Sequence, residues 1–183
     1  MKPQITKLGT IDLDLAETTP VVFGGMLYRF EYVRTRYVPN RTGDSYFRFV
    51  DHDTGKASKP FARGYHLGNV MVEGDTLYVT ATNDWDGERV DMFVSTDIEH
   101  WESYNVLGLP GYGLFNTSLC RADDAYMLMF EVGKPPEVAG VPFTARFAKS
   151  HNLRDWQLMP SQCTYSKDRY TAPHCLRYHE GYY

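Results

Sequence analysis

The 183-residue sequence has little of what marks disulfide-rich or membrane-spanning proteins. Its three cysteines, Cys120, Cys163 and Cys175, are an odd number with no CxxC pair, which argues against a disulfide framework or a structural zinc site. No stretch approaches the roughly 20 apolar residues of a membrane span, and the N-terminus lacks the continuous apolar segment of an export signal. We therefore expect a cytoplasmic protein with reduced thiols and no membrane partner.

Basic residues are not in excess either. The chain has 19 Lys and Arg against 23 Asp and Glu, a formal net charge of -4, and no basic run. This balance argues against nucleic acid or an anionic membrane as the main partner. Nucleotide-binding loops, serine-centred elbows, HExxH motifs and zinc clusters are also missing from the sequence, which therefore indicates neither a cofactor nor a metal.

Short strands are abundant instead. Aromatic residues make up 15% of the chain, and apolar positions alternate over runs of about six to eight residues between turn-forming residues. Residues 26–33, 76–83 and 125–132 are predicted strands, and each follows another short strand and a tight turn. The turns contain Gly24-Gly25, Gly74-Asp75 and Asp123-Asp124, which suit the backbone of hairpins. The pattern predicts an all-β fold built from similar hairpins.

These hairpins form an internal repeat. The segments PVVFGGMLYRFE, NVMVEGDTLYVTAT, SLCRADDAYMLMFE and PHCLRYHEGYY begin at Pro20, Asn69, Ser118 and Pro173, which lie 49, 49 and 55 positions apart. Two units continue as VDMFVSTDIEHW and RFAKSHNLRDW, each a strand followed by Ser-x-Asp/Asn-Ile/Leu-x-x-Trp. Four antiparallel strands per roughly 50 residues are typical of a β-propeller blade. A β-sandwich with evenly spaced short strands is the alternative.

The repeated Ser-x-Asp-Ile/Leu-x-x-Trp turns and the Tyr-rich strands resemble the five-bladed propeller glycoside hydrolases. That superfamily includes families 43, 32, 62, 68 and 130, and the resemblance spans residues 17–183. It implies a five-bladed β-propeller with carboxylates from different blades around a funnel on the axis. It also implies an oligosaccharide or glycoside as the substrate, with activities that range from arabinoside, xyloside and fructoside hydrolysis to mannoside phosphorolysis.

Only part of such a propeller fits in this chain. We predict a single incomplete domain over residues 1–183, with blades at 17–65, 66–114 and 115–169 and the start of a fourth at 170–183. Five blades need roughly 250 to 300 residues, so about three and a half blades are expected here. An open array exposes strand edges, which leads us to expect self-association through the open propeller edge.

Two glutamates are the candidate catalytic residues, because cleavage of a glycosidic bond requires two carboxyl groups. Glu17 precedes the first inner strand, although it lies three residues ahead of Pro20 where the resembling families place an acid directly before a proline. A solvated N-terminal acid is the alternative for Glu17. Glu131 ends an apolar strand, and burial there would raise its pKa as a general acid requires. A structural carboxylate is its alternative, and Glu31 occupies a similar place after Phe30.

Neutral polar and aromatic residues at the inferred axial positions are candidate sugar ligands. Amide, imidazole and guanidinium groups hydrogen-bond hydroxyls, and an indole ring can stack on a pyranose. The candidates are Arg63, His66, Asn69, Trp85, Asn116 and His174. The superfamily often has acids where the neutral groups sit, which puts ordinary family 43 chemistry in doubt, and a histidine that caps a loop is the alternative for His66.

The sequence thus favours a glycoside hydrolase that cleaves its substrate in an axial funnel. The alternative is a non-catalytic glycan-binding propeller that has lost its catalytic acids. A structural interaction propeller is the third possibility. A second carboxylate facing Glu17 would separate the first two.

Overall fold

The computed structural model describes residues 4–6, 14–36, 44–172 and 174–183. Within these ranges, the regular structure is eleven strands and one four-residue helix. The elements are β1 (Leu15–Phe23), β2 (Met26–Arg34), β3 (Ser45–Asp51), β4 (His66–Glu73), β5 (Thr76–Thr82), β6 (Arg89–Ser95), β7 (Glu102–Gly108), β8 (Gly113–Arg121), β9 (Tyr126–Lys134), α1 (Pro136–Ala139), β10 (Thr144–Ser150) and β11 (Gln157–Leu158). In the part of the chain so described, no helix is long and apolar enough to cross a membrane.

The strands form three antiparallel sheets that follow one another along the chain. Their orders are β1-β2-β3, β4-β5-β6-β7 and β8-β9-β10-β11, so within each sheet every strand pairs with the strand that follows it in sequence. The first strands of the sheets lie side by side, since β4 packs against both β1 and β8. Three up-and-down sheets with adjacent inner strands are propeller blades, and the predicted all-β propeller is confirmed.

The first and last units are less regular than the middle ones. In blade one, the bridges Phe47–Phe61 and Val50–Ala57 stand where a fourth strand would pair with β3. Residues 174–183 contain no strand, only a bridge between His179 and Tyr182. Pro173, the predicted start of the fourth inner strand, lies outside the described residues.

The inner strands begin earlier than the sequence predicted. They start at Leu15, His66 and Gly113 rather than at Pro20, Asn69 and Ser118. Each contains a β-bulge near its beginning, which inserts an unpaired residue and lets the chain continue pairing beyond it. The residues that we placed just ahead of the first three inner strands are therefore part of the sheets.

The repeated Ser-x-Asp turn is built from its own side chains. The Ser95 hydroxyl accepts the Ile98 backbone N–H at 2.9 Å. The Asp97 carboxylate accepts the backbone N–H groups of Glu99 and His100 at 2.9 and 2.8 Å. The Trp101 indole donates to the Ile98 carbonyl and stacks on Phe61 of blade one, with ring centroids 3.9 Å apart. The same turn recurs in blade three at Ser150, Asn152, Leu153 and Trp156. These residues hold turns and join blades.

The hairpin of blade one exposes apolar side chains. Val22, Met26 and Leu27 are 62%, 50% and 41% exposed, whereas Phe30 and Tyr32 of β2 and Phe47 and Phe49 of β3 are in the core. An exposed apolar cluster on a sheet is a surface suited to association. The self-association expected from the open propeller edge stays a prediction.

Candidate functional site

The β-bulges of the inner strands lie where the three blades meet. Ala16 is the extra residue in β1 and Asn116 in β8, while the bulge in β4 falls between His66 and Asn69. Leu67, inside the β4 bulge, has a φ of 55°. Bulges re-aim side chains and are common beside active sites. Here they turn residues of three blades toward a shared space.

That space is a cavity of about 350 Å³, which we call the axial cavity. It collects residues from all three inner strands and from the segment after blade three. Its lining residues are Glu17, Thr18, Thr19, Pro20, Leu67, Gly68, Asn69, Asn116, Thr117, His174, Cys175 and Arg177. Four of the eight predicted site residues, Glu17, Asn69, Asn116 and His174, thus border one cavity.

Glu17 is the carboxylate of this cavity. Its side chain is exposed to the cavity solvent but surrounded by protein on several sides, and this desolvation raises its pKa. The negative charge of Glu131 adds to the rise. Glu17 therefore takes up a proton at a higher pH than an ordinary glutamate does.

Glu131 lies behind the wall of the axial cavity and is fully buried. One carboxylate oxygen accepts a hydrogen bond from the Asn116 amide at 2.7 Å, and the other lies 3.0 Å from Nδ1 of His174. Burial raises the pKa of Glu131, and the contacts with Asn116 and His174 oppose that rise. Glu131 thus reaches the cavity through two residues that line it.

Glu31 has a different environment despite its similar sequence context. It is also fully buried, but its carboxylate accepts hydrogen bonds from the guanidinium groups of Arg29 at 3.0 Å and Arg48 at 2.8 Å. A carboxylate between two arginines forms a structural ion-pair network. The parallel between Glu31 and Glu131 in sequence does not extend to their partners.

His66 is buried between blades one and two. Its Nδ1 lies 2.5 Å from the Tyr32 hydroxyl and its Nε2 lies 3.3 Å from the Ser45 hydroxyl. Burial, with a smaller contribution from the charge of Arg34, lowers the pKa of His66 to about 4. The ring has no exposed surface, so it contacts neighbouring side chains rather than the axial cavity.

Trp85 borders a second cavity of about 440 Å³, which we call the middle cavity. Glu17 lines this cavity as well, together with Tyr32 and Arg34. The Arg34 guanidinium lies 4.6 Å from the centroid of the Trp85 ring, a cation–π contact. Trp85, the residue predicted to stack on a sugar, and Glu17, a predicted catalytic carboxylate, therefore line the same cavity.

Arg63 lies apart from this group. Within the described ranges, it is exposed on the surface with its guanidinium 5.4 Å from the Tyr46 ring, and it lines neither the axial nor the middle cavity. It was grouped with His66 and Asn69 because the three are close in sequence. The tight turn at Gly64 separates their side chains.

Side-chain hydrogen bonds near the axial cavity join blade two and the segment after blade three to blade three. The Asn69 side-chain oxygen accepts the Leu119 backbone N–H of blade three at 3.3 Å. The Ser118 hydroxyl likewise accepts the Leu176 N–H at 3.0 Å. This second bond fixes the segment that carries His174 against blade three.

Sequence reasoning missed Tyr32, Arg34 and Arg177. Tyr32 and Arg34 lie near the end of β2, where alternation could have placed them on one face, and Arg177 follows two residues after Cys175. Their cavity positions depend on contacts between blades, which leave no local signal. Over the residues that the structure describes, no group of three or more His, Cys, Asp and Glu side chains is placed to hold a metal ion.

Comparison with known proteins gives likenesses of structure. No protein-family model matches the sequence, and no curated protein matches it. The xyloglucan PUL GH43B structure of Bacteroides ovatus matches with a TM-score of 0.56 and 14% identity over 80% of this chain. A bifunctional GH43-CE structure of Bacteroides eggerthii matches with a TM-score of 0.54 and 13% identity over 77%. These likenesses confirm the resemblance to the propeller glycoside hydrolases at the level of the fold.

The matched structures are much longer than this chain. The chain spans 30% of the first structure and 19% of the second. Over the residues that the structure describes, the chain forms three blades of a β-propeller.

Proposed function

We propose that this protein is a glycoside hydrolase that holds a sugar in the axial cavity beside Glu17. The observation that carries the proposal is the convergence of Glu17, Asn69, Asn116 and His174, from three inner strands and the segment after blade three, on one cavity of about 350 Å³. A concave site with a few convergent polar groups and perturbed carboxyls is the usual form of a small-molecule site. Amide and imidazole groups suit sugar hydroxyls.

In this proposal, Glu17 is the general base or the group that positions the attacking water. It is exposed in the cavity and must be ionised for that role, and its raised pKa makes it a stronger base than an ordinary glutamate. Its exposure to the cavity leaves room for a water molecule beside the carboxylate.

The proton for the leaving group comes, in this proposal, from the pair of His174 and Glu131. Glu131, which the sequence analysis predicted as the general acid, is fully buried, and its carboxylate lies 3.0 Å from Nδ1 of His174. His174 lines the cavity, so its ring is the group that meets a substrate. Glu131 orients that ring through this contact, as a carboxylate does for a catalytic histidine.

A non-catalytic glycan-binding propeller is the second candidate. Among the described residues that line the axial cavity, Glu17 is the only carboxylate. A site with one accessible acid can bind a glycan without cleaving it. The two candidates predict the same ligands and differ in whether a product forms.

The experiment is a panel of glycosides and oligosaccharides incubated with the protein, with released sugar measured by mass spectrometry and binding measured by calorimetry. One solved structure with this fold is named for xyloglucan, so xyloglucan oligosaccharides belong in the panel beside xylosides, arabinosides, mannosides and fructosides. Glu102→Gln is the matched control for the Glu17→Gln variant, because Glu102 is an exposed glutamate at the start of β7. Release of a sugar product supports the hydrolase, and binding without product supports the glycan-binding alternative. If no sugar in the panel is cleaved or bound, both candidates are refuted.

A further inference from the structure

A third cavity, which we call the outer cavity, lies beyond Trp85 at the junction of blades two and three. Its volume is about 520 Å³, and aromatic rings form much of its wall. The centroids of Trp85 and Phe115 are 5.9 Å apart, and those of Phe115 and Phe143 are 4.5 Å apart, both edge-to-face. The size lies within the range of small-molecule pockets, about 300 to 1,000 Å³.

The outer cavity continues a row of three cavities. Glu17 lines both the axial and the middle cavity, and Trp85 lines both the middle and the outer cavity. Each pair of neighbours therefore shares a residue that is a candidate for sugar contact. A row of this kind fits an extended ligand better than a single compact one.

The wall of the outer cavity is held in place from both blades. The backbone N–H of Leu114 in β8 donates to the Gly87 carbonyl at 2.7 Å, which ties the loop of Trp85 to blade three. The Thr171 hydroxyl donates to the Phe143 carbonyl at 2.8 Å on the opposite side. The aromatic surface is thus positioned before any ligand arrives, which reduces the entropic cost of binding.

A glycine allows the rings to pack closely at this site. A Cβ on Gly133 would lie 2.8 Å from the Phe115 ring and 3.0 Å from the Phe143 ring. Any larger residue would therefore displace the aromatic wall.

The rim is polar and charged. The Lys134 ammonium and the Asp86 carboxylate form an ion pair of 2.7 Å, and their side chains are 47% and 39% exposed. Ammonium hydrogens and carboxylate oxygens are respectively donors and acceptors for hydroxyl groups. Aromatic walls beside such a rim match a pyranose, which has apolar CH faces and hydroxyl groups around its edge.

We infer that the outer cavity is a sugar subsite for a glycan that runs past Glu17 and Trp85, so that the substrate is an oligosaccharide chain rather than a simple glycoside. This inference rests on the proposed function. It adds that Phe143 and its neighbours bind a sugar residue distant from Glu17.

The test is a calorimetric titration of the 183-residue chain with oligosaccharides of one to four residues, in the xylose, arabinose, mannose, fructose and glucose series. Affinity should rise by about tenfold or more between the monosaccharide and the tetrasaccharide of the preferred series, a gain of ~1.4 kcal/mol. Phe143→Ala should remove that gain and leave monosaccharide affinity unchanged. Phe143→Leu, which keeps a large apolar side chain but removes the ring, is the second variant if the first does not fold and should have the same effect.

Tyr182→Ala is the matched control, since Tyr182 is an aromatic residue that is 79% exposed and outside the three cavities. It should bind every length as the unmodified chain does. Two results would overturn this inference and leave the proposed function standing. One is that monosaccharides bind and longer chains bind with no higher affinity. The other is that Phe143→Leu lowers the affinity equally for all lengths. Failure of every sugar to bind would overturn both.

Discussion

Mild acid should destabilise this protein through His66. The imidazole is buried against Tyr32 and Ser45, and its pKa is about 4 in the folded chain against 6.5 for a free histidine. In the neutral ring, one nitrogen donates and the other accepts, which suits the two hydroxyl partners. Protonation makes both nitrogens donors and adds a charge near Arg34, where burial already disfavours it.

The size and the sign of the effect follow from the two pKa values. The unfolded chain binds this proton below pH 6.5, whereas the folded chain resists it until about pH 4. The contribution of His66 to stability is therefore present above pH 6.5 and is lost as the pH falls toward 4. At ~1.36 kcal/mol per pH unit the full loss is about 3 kcal/mol, and about 2 kcal/mol of it should have occurred by pH 5.

The assay is urea denaturation at pH 7 and pH 5, followed by tryptophan fluorescence, on the unmodified chain and on His66→Gln. Glutamine retains a donor and an acceptor for Tyr32 but does not titrate. Carboxylates contribute to the pH dependence of both proteins, so the difference between them isolates His66. The unmodified chain should lose about 2 kcal/mol more than the variant, and equal losses would refute the burial argument.

Two further predictions concern the buried glutamates. Glu31→Gln should lower the free energy of unfolding by about 3 kcal/mol, because it removes the charge that compensates Arg29 and Arg48; a loss below about 1 kcal/mol in urea denaturation would contradict this. Glu131→Gln should shift the acid limb of the kcat/KM profile to lower pH, because the charge of Glu131 raises the pKa of Glu17. An acid limb at the same pH would exclude that coupling.

The hairpins and the recurring Ser-x-Asp turns were predictable because their causes are local. Gly24 and Gly25 adopt positive φ values of 56° and 76° within two residues of chain, and Ser95 bonds a backbone group three residues away. Such contacts appear in a sequence as short patterns at fixed spacing. The repeat of those patterns was enough to predict the blades.

The site was less predictable because its contacts span blades. Whether His66 faces a cavity or Tyr32 depends on a residue 34 positions away. The partners Arg48 of Glu31 and Asn116 of Glu131 lie on other strands, 17 and 15 positions away. A β-bulge is equally hard to predict from the sequence, because the extra residue is defined by its pairing with the opposite strand. Glu17 and Asn116 were nominated from their positions at the ends of inner strands, and a β-bulge lies at each of those ends.

The most direct test of the proposed function is the turnover number of Glu17→Gln with the substrate that the glycoside panel identifies. Glutamine preserves the shape of Glu17 and removes its ability to accept a proton. Our account predicts a fall in kcat of at least about a hundredfold, the scale of positioned acid or base catalysis, with an unchanged thermal unfolding transition. An unchanged kcat would contradict the account and remove Glu17 from the mechanism.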